Sequence, residues 1–168
     1  MQTLLVLLIS LFLINSGKAQ MAPPTLDYVA VPESFKLPAG MNFGGTSGVA
    51  INSKGNLFVL HRGQMPLMEF DPDGNFVRGW GDGLFDRPHG LRIDKDDNIW
   101  AIDKGSDMVM KFNQAGRILW VFGRRQESAD GAEPWEHATP PAAPRDGLFR
   151  QPTDVAWDSQ GNIYKIGR

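Results

Sequence analysis

The chain of 168 residues has no cysteine and three histidines, so a metal could be held only by imidazole, carboxylate or carbonyl oxygen. His89 stands in "RPHGL", directly ahead of an alternating apolar run, and His61 precedes Arg62 in "HRG". Spacing alone suits His89 as a turn histidine satisfied by nearby backbone, and one imidazole cannot make a catalytic zinc site, which takes three protein ligands and an open position. Strand alternation turns His61 away from the side taken by Arg62 and marks it as structural. His137 falls in a Pro/Ala-rich stretch where a solvated side chain is expected. Arg62 reads either as a surface arginine at a strand end or as a fixed guanidinium able to stabilise developing negative charge. Asp103 and Asp154 read as turn and packing groups, and no paired-carboxylate, nucleophile-elbow or phosphate-loop pattern competes with them.

These residues must be positioned by a repeat. "SGVAINSKGNLFVLHRG", "HGLRIDKDDNIWAIDKG" and "TDVAWDSQGNIYKIGR" align, with Asn56, Asn98 and Asn162 standing 42 and then 64 residues apart. Each reads as an apolar alternating strand, a turn built of Asp, Ser, Lys, Gly and Asn, and a second strand. The first two hairpins are followed by another, in "LMEFDPDGNFVRGWG" and "MVMKFNQAGRILWVFG", which makes four antiparallel strands per unit. A period near 42 residues with four strands predicts an all-β fold of β-propeller blades. The longer second interval is taken up by residues 124–145, rich in Ala, Pro and Glu and without period, which read as a loop inserted between blades. A propeller closes with about four blades or more. This chain supplies two and the opening hairpin of a third, so it is expected to be a fragment whose open edges favour aggregation or completion by more chain. Residues 20–168 are not expected to form a stable monomer.

A formal charge of −2 gives no electrostatic footprint for nucleic acid. The first nineteen residues carry an apolar run from Leu4 to Ile14 followed by small and polar residues, the outline of a signal peptide with a core too short to span a bilayer. The mature protein, from residue 20, is expected to be secreted or periplasmic and without a membrane span.

The units resemble the NHL repeat. Within that superfamily, "FKLPAGMNFGGTSGVAINSKGNLFVLHRG", "RPHGLRIDKDDNIWAID" and "RQPTDVAWDSQGNIY" together are similar to peptidyl-α-hydroxyglycine α-amidating lyase. The resemblance implies a six-bladed propeller, of which the chain holds about two and a third blades. Its substrate would be a peptide with a C-terminal α-hydroxyglycine, or a related small carbinolamide, split into a peptide amide and glyoxylate. It further implies a zinc held by three histidines beside an arginine and a tyrosine, and a calcium deeper in the channel. On this basis His89 matches the first zinc histidine and Arg62 the active-site arginine. Val49 and Leu91 match positions whose main-chain carbonyls hold the calcium. The family's tyrosine lies in a "DGY" phrase beyond the third hairpin, and Tyr164, on a strand, does not match it. The isolated chain is expected to be inactive, and the alternative is a non-catalytic NHL propeller that binds a peptide, protein or glycan on one face.

Overall fold

The computed structural model describes residues 25–125 and 147–167. The signal-peptide reading of residues 1–19, His137 and nearly all of the 124–145 insertion lie outside the described residues. Residues 1–32 and 33–168 separate into two units. In the described part of the first, Leu26, Tyr28, Val29 and Val31 are exposed.

The second unit is built of antiparallel strands. β1 (Thr46–Ile51), β2 (Leu57–His61), β3 (Leu67–Phe70) and β4 (Phe76–Trp80) form one sheet in chain order. β5 (Pro88–Ile93), β6 (Ile99–Asp103), β7 (Met108–Phe112) and β8 (Ile118–Gly123) form a second, and β9 (Pro152–Trp157) pairs with β10 (Ile163–Gly167). The all-β class and the four-stranded antiparallel blades expected from the repeat are therefore observed. Among the described residues no helix is long and apolar enough to cross a membrane.

One turn chemistry closes five of the seven described hairpins, those of β1–β2, β3–β4, β5–β6, β7–β8 and β9–β10. Asn52, Asp71, Asp94, Asn113 and Asp158 each open a turn, and each side-chain Oδ1 accepts the amides two and four residues on. Such an Asx side chain offers the backbone a local partner and ends the preceding strand. The fourth turn residue is left-handed: Gly55, Gly74, Gly116 and Gly161 have φ of 78–83°, whereas in the β5–β6 turn Asp97 adopts φ 59°. Asp97 takes this conformation, uncommon without glycine, while its carboxylate accepts the Ser53 amide at 2.8 Å and the Ser53 hydroxyl at 2.5 Å across the blade junction. Those bonds hold its carboxyl below the usual carboxylate range.

The core lies between sheets. Phe58, Leu60 and Leu67 of the first meet Leu91, Ile99, Ala101, Met110 and Phe112 of the second. Trp100, Ile102 and Val109 meet Val155 of the third. Because β2, β3 and β6 are covered on both faces, "LFVLH", "LMEF" and "IWAID" are buried almost throughout rather than alternating. The other face of the first sheet, with Val59, Met68 and Phe70, is covered by Leu37 and Phe43. Each such side chain contributes about 1.5–3 kcal/mol when fully buried.

Candidate active site

The innermost strands β1, β5 and β9 pack side by side, and glycine sets how closely. A Cβ on Gly48 would lie 2.9 Å from the Leu91 amide nitrogen, and one on Gly90 would lie 2.6 Å from the Thr153 carbonyl. The glycines in "GVA" and "HGL" are therefore contact points between blades.

One residue beside each contact falls out of the ladder. Thr46 pairs with His61 and Gly48 with Leu60, which leaves Ser47 unpaired; in the same way His89 is passed over between Pro88 and Gly90, and Thr153 between Pro152 and Asp154. A bulge re-aims a side chain away from the sheet face. Ser47 and Thr153 turn their hydroxyls back onto the Leu60 and Ile166 carbonyls. His89 instead places Nδ1 3.3 Å from the Thr153 carbonyl of the next blade. A carbonyl only accepts, so Nδ1 carries a proton and Nε2 is the ring nitrogen that could serve as a ligand.

Arg62 comes to the same end of the blades. Its amide donates to the Gly45 carbonyl at 3.1 Å. Its Nε donates to the carbonyl of Pro88, the residue before His89, at 3.4 Å. Val49 and Leu91 lie at matching levels of β1 and β5, paired with Val59 and Ala101; Val49 is exposed and Leu91 buried. Asp154 and Asp158 are engaged in structure. Asp154 forms a two-pronged ion pair with Arg92, whose guanidinium is the main cause of its lowered pKa. Tyr164 donates its hydroxyl to Asp158 within the last turn.

Two residues that position this end read in the sequence as structural groups, Asp103 in turn and packing and His61 on its strand. Asp103 is fully buried, and its carboxylate accepts the Asp86 and Arg87 amides at 2.8 and 2.6 Å and the Ser106 hydroxyl at 2.5 Å. It thereby fixes the residues leading into His89. His61, also fully buried, occupies the same place in the first blade, and its Nδ1 accepts the Gly44 amide at 2.9 Å. Reading the repeat as columns, with His61 above Asp103, would have exposed this shared duty.

A metal-ligating histidine commonly donates its second ring N–H to a carbonyl, and the His89–Thr153 contact has that form. Carbonyl oxygens such as those of Val49 and Leu91 are of the type calcium takes. Among the described residues, however, no group of three or more His, Asp or Glu converges to hold a metal. The residues present fit one corner of the zinc site that the resemblance implies and do not make the whole of it.

No family model matches the chain. Curated relatives include peptidyl-glycine alpha-amidating monooxygenase B of Xenopus laevis, 31% identical over 151 residues, covering 74% of this chain and 16% of the relative. They also include a probable peptidyl-alpha-hydroxyglycine alpha-amidating lyase of Caenorhabditis elegans, 27% identical over 145 residues, covering 72% of this chain and 37% of the relative. The chain thus spans well under half the length of the curated relatives it matches. Among solved structures, virginiamycin B lyase of Staphylococcus aureus superposes with a TM-score of 0.51 at 13% identity over 74% of this chain and 36% of that one, a likeness of fold alone. The similarity to the amidating lyases seen in the repeats is borne out by these relatives, and the propeller architecture by the structural neighbour.

Proposed function

We propose that the chain is the part of an exported amidating lyase that carries Arg62 and the first zinc histidine, acting on peptides that end in α-hydroxyglycine. The observation that carries this reading is the convergence of the two residues. Arg62, from the end of β2, bonds the carbonyl that precedes His89, on β5, in a chain whose relatives include lyases named for that substrate.

The reaction breaks the bond between the amide nitrogen and the hydroxylated carbon. The hydroxyl loses its proton, its electron pair forms the carbonyl of glyoxylate, and the nitrogen leaves with the C–N pair and takes up a proton as the peptide amide. Arg62 is suited to bind the substrate carboxylate and to stabilise negative charge as it develops. His89, with its proton fixed on Nδ1, presents Nε2 as a ligand in a set completed by residues outside those described. A zinc held there when bound would acidify the substrate hydroxyl, and the Val49 and Leu91 carbonyls are the proposed calcium ligands.

The test is glyoxylate release from a peptidyl-α-hydroxyglycine by the longest reading frame that contains this chain, with and without a chelator. Arg62→Ala and His89→Ala should each lower turnover by about a hundredfold or more with the circular-dichroism spectrum unchanged. Activity that survives either substitution would sink the residue assignments, whereas no glyoxylate release from the unsubstituted protein would leave a non-catalytic binding propeller as the better account.

A further inference from the structure

We propose that His61 is the positioning residue for Arg62, and that it holds Arg62 in place only while its imidazole is neutral; the consequence for catalysis rests on the lyase reading.

The ring uses both nitrogens in one protonation state. Nδ1 accepts the Gly44 amide at 2.9 Å and must carry a lone pair, while Nε2 lies 3.2 Å from the Met65 carbonyl and must carry the proton. A second proton, on Nδ1, would set one donor against another. Gly44 is pressed onto Arg62, since a Cβ on it would lie 2.7 Å from the Arg62 carbonyl carbon and oxygen. The Arg62 amide in turn donates to Gly45. The ring therefore fixes the strip 43–45, the strip fixes the Arg62 main chain, and the Arg62 side chain reaches the entry to His89.

The second blade provides an internal control. Asp103 accepts the Asp86 and Arg87 amides at 2.8 and 2.6 Å, and the following Lys104 donates its amide to Arg87, as Arg62 does to Gly45. The same latch is made there with a carboxylate, which has no ring nitrogen to switch from acceptor to donor. A histidine in that place adds a response to pH that the hairpin does not require. Residues 43–45 and 63–66, which surround the ring, contain no carboxylate. The charged groups bordering it are Arg62, next in the chain, and Asp82, whose carboxylate is engaged with the Met65 amide at 2.7 Å. Burial opposes the imidazolium and lowers the His61 pKa from 6.5, with only the Met65 carbonyl working the other way.

The experiment follows the amide resonances of Gly44 and Arg62 and the His61 ring in the isotopically labelled full chain from pH 8 to pH 5. All three should shift together, with one midpoint below 6.5, and the Gly44 amide should lose its protection from exchange. The shift should persist in His89→Gln, which removes the other imidazole at this end of the blades. It should vanish in His61→Asn, whose side-chain carbonyl stays an acceptor at every pH. An Arg62 amide that stays still while Gly44 moves, a ring that shows no titration, or a shift that survives in His61→Asn overturns the proposal. If His61→Asn does not fold, the wild-type and His89→Gln titrations decide it. Glyoxylate release should show an acid limb at the same midpoint, absent in His61→Asn. No release at any pH from the longest reading frame that contains this chain would refute the lyase reading, and the amide titrations would still decide the role of His61.

Discussion

Asp103→Ala tests most directly how the chain holds the approach to His89. The carboxylate is fully buried and accepts two main-chain amides at 2.8 and 2.6 Å, a hydroxyl at 2.5 Å and a weaker amide contact from Gly105 at 3.3 Å. Alanine would leave at least the Asp86 and Arg87 donors without a partner where water has little access, at about 1–3 kcal/mol each. With the small cavity added, the expected loss is about 4 kcal/mol, near the upper end for a single substitution. At a urea slope of about 2 kcal/mol/M, that lowers the unfolding midpoint by about 2 M, measured by tryptophan fluorescence. Asp103→Asn keeps one acceptor but turns an NH2 group towards the amides, and is expected to cost about half as much; it serves if the alanine variant does not fold. Hydrogen exchange should rise at Asp86 and Arg87 while the Asn98 amide, held by Asp94 in the far turn, stays protected. A change below about 0.5 kcal/mol, or a uniform rise in exchange across both ends of the blade, would refute the assignment of Asp103 as a local latch.

Three further expectations are independent of it. Gly90→Ala places a methyl 2.6 Å from the Thr153 carbonyl and should cost about 1–3 kcal/mol in urea unfolding as β5 and β9 are forced apart. Burial pushes the Asp94 carboxyl up, but bonds from the Trp100 indole, the Asn98 amide and Lys111 outweigh it and hold the pKa at about 2. Its contribution, about 2 kcal/mol, is therefore present above the unfolded value near 3.8 and is lost as pH falls from there through about 2, so Asp94→Asn should flatten the acid limb of an unfolding titration. Finally, the uncharged edge strand β8 exposes Ile118, Leu119, Trp120 and Val121, whereas β4 carries Arg78 and Gly79 where β8 has Trp120 and Val121. Charge on an edge discourages pairing with other chains, so Val121→Lys should reduce light scattering on concentration, and an unchanged signal would place the association elsewhere.

The blades were legible in the sequence because their turns are local. An Asx residue that opens a five-residue turn, closed by Gly-Asn in three of the five, dictates a hairpin without help from distant chain, and all five turns formed where the repeat placed them. Asp97 was legible as a turn residue but not as a clamp, because its partner Ser53 belongs to another blade. The candidate site was less readable. His89 drew notice as a lone imidazole in a telling phrase, but its bulge and its bond to Thr153 depend on how β5 and β9 meet. The link between His61 and Arg62 runs through the main chain of Gly44 and Gly45, where side-chain patterns carry no signal. For that reason a residue read as structural proves to be in position to govern its neighbour.

The unpaired position shared by Ser47, His89 and Thr153 has a consequence for how such a protein acquires chemistry. Its side chain takes no part in strand register, so exchanging the residue there alters what the inner end of a blade presents without rewriting the sheet that supports it. Recognition and architecture can then change at separate sites, one blade at a time. A chemist seeking to install a new ligand set on this scaffold would begin at Ser47 and Thr153, which hold the positions equivalent to that of His89 in the neighbouring blades.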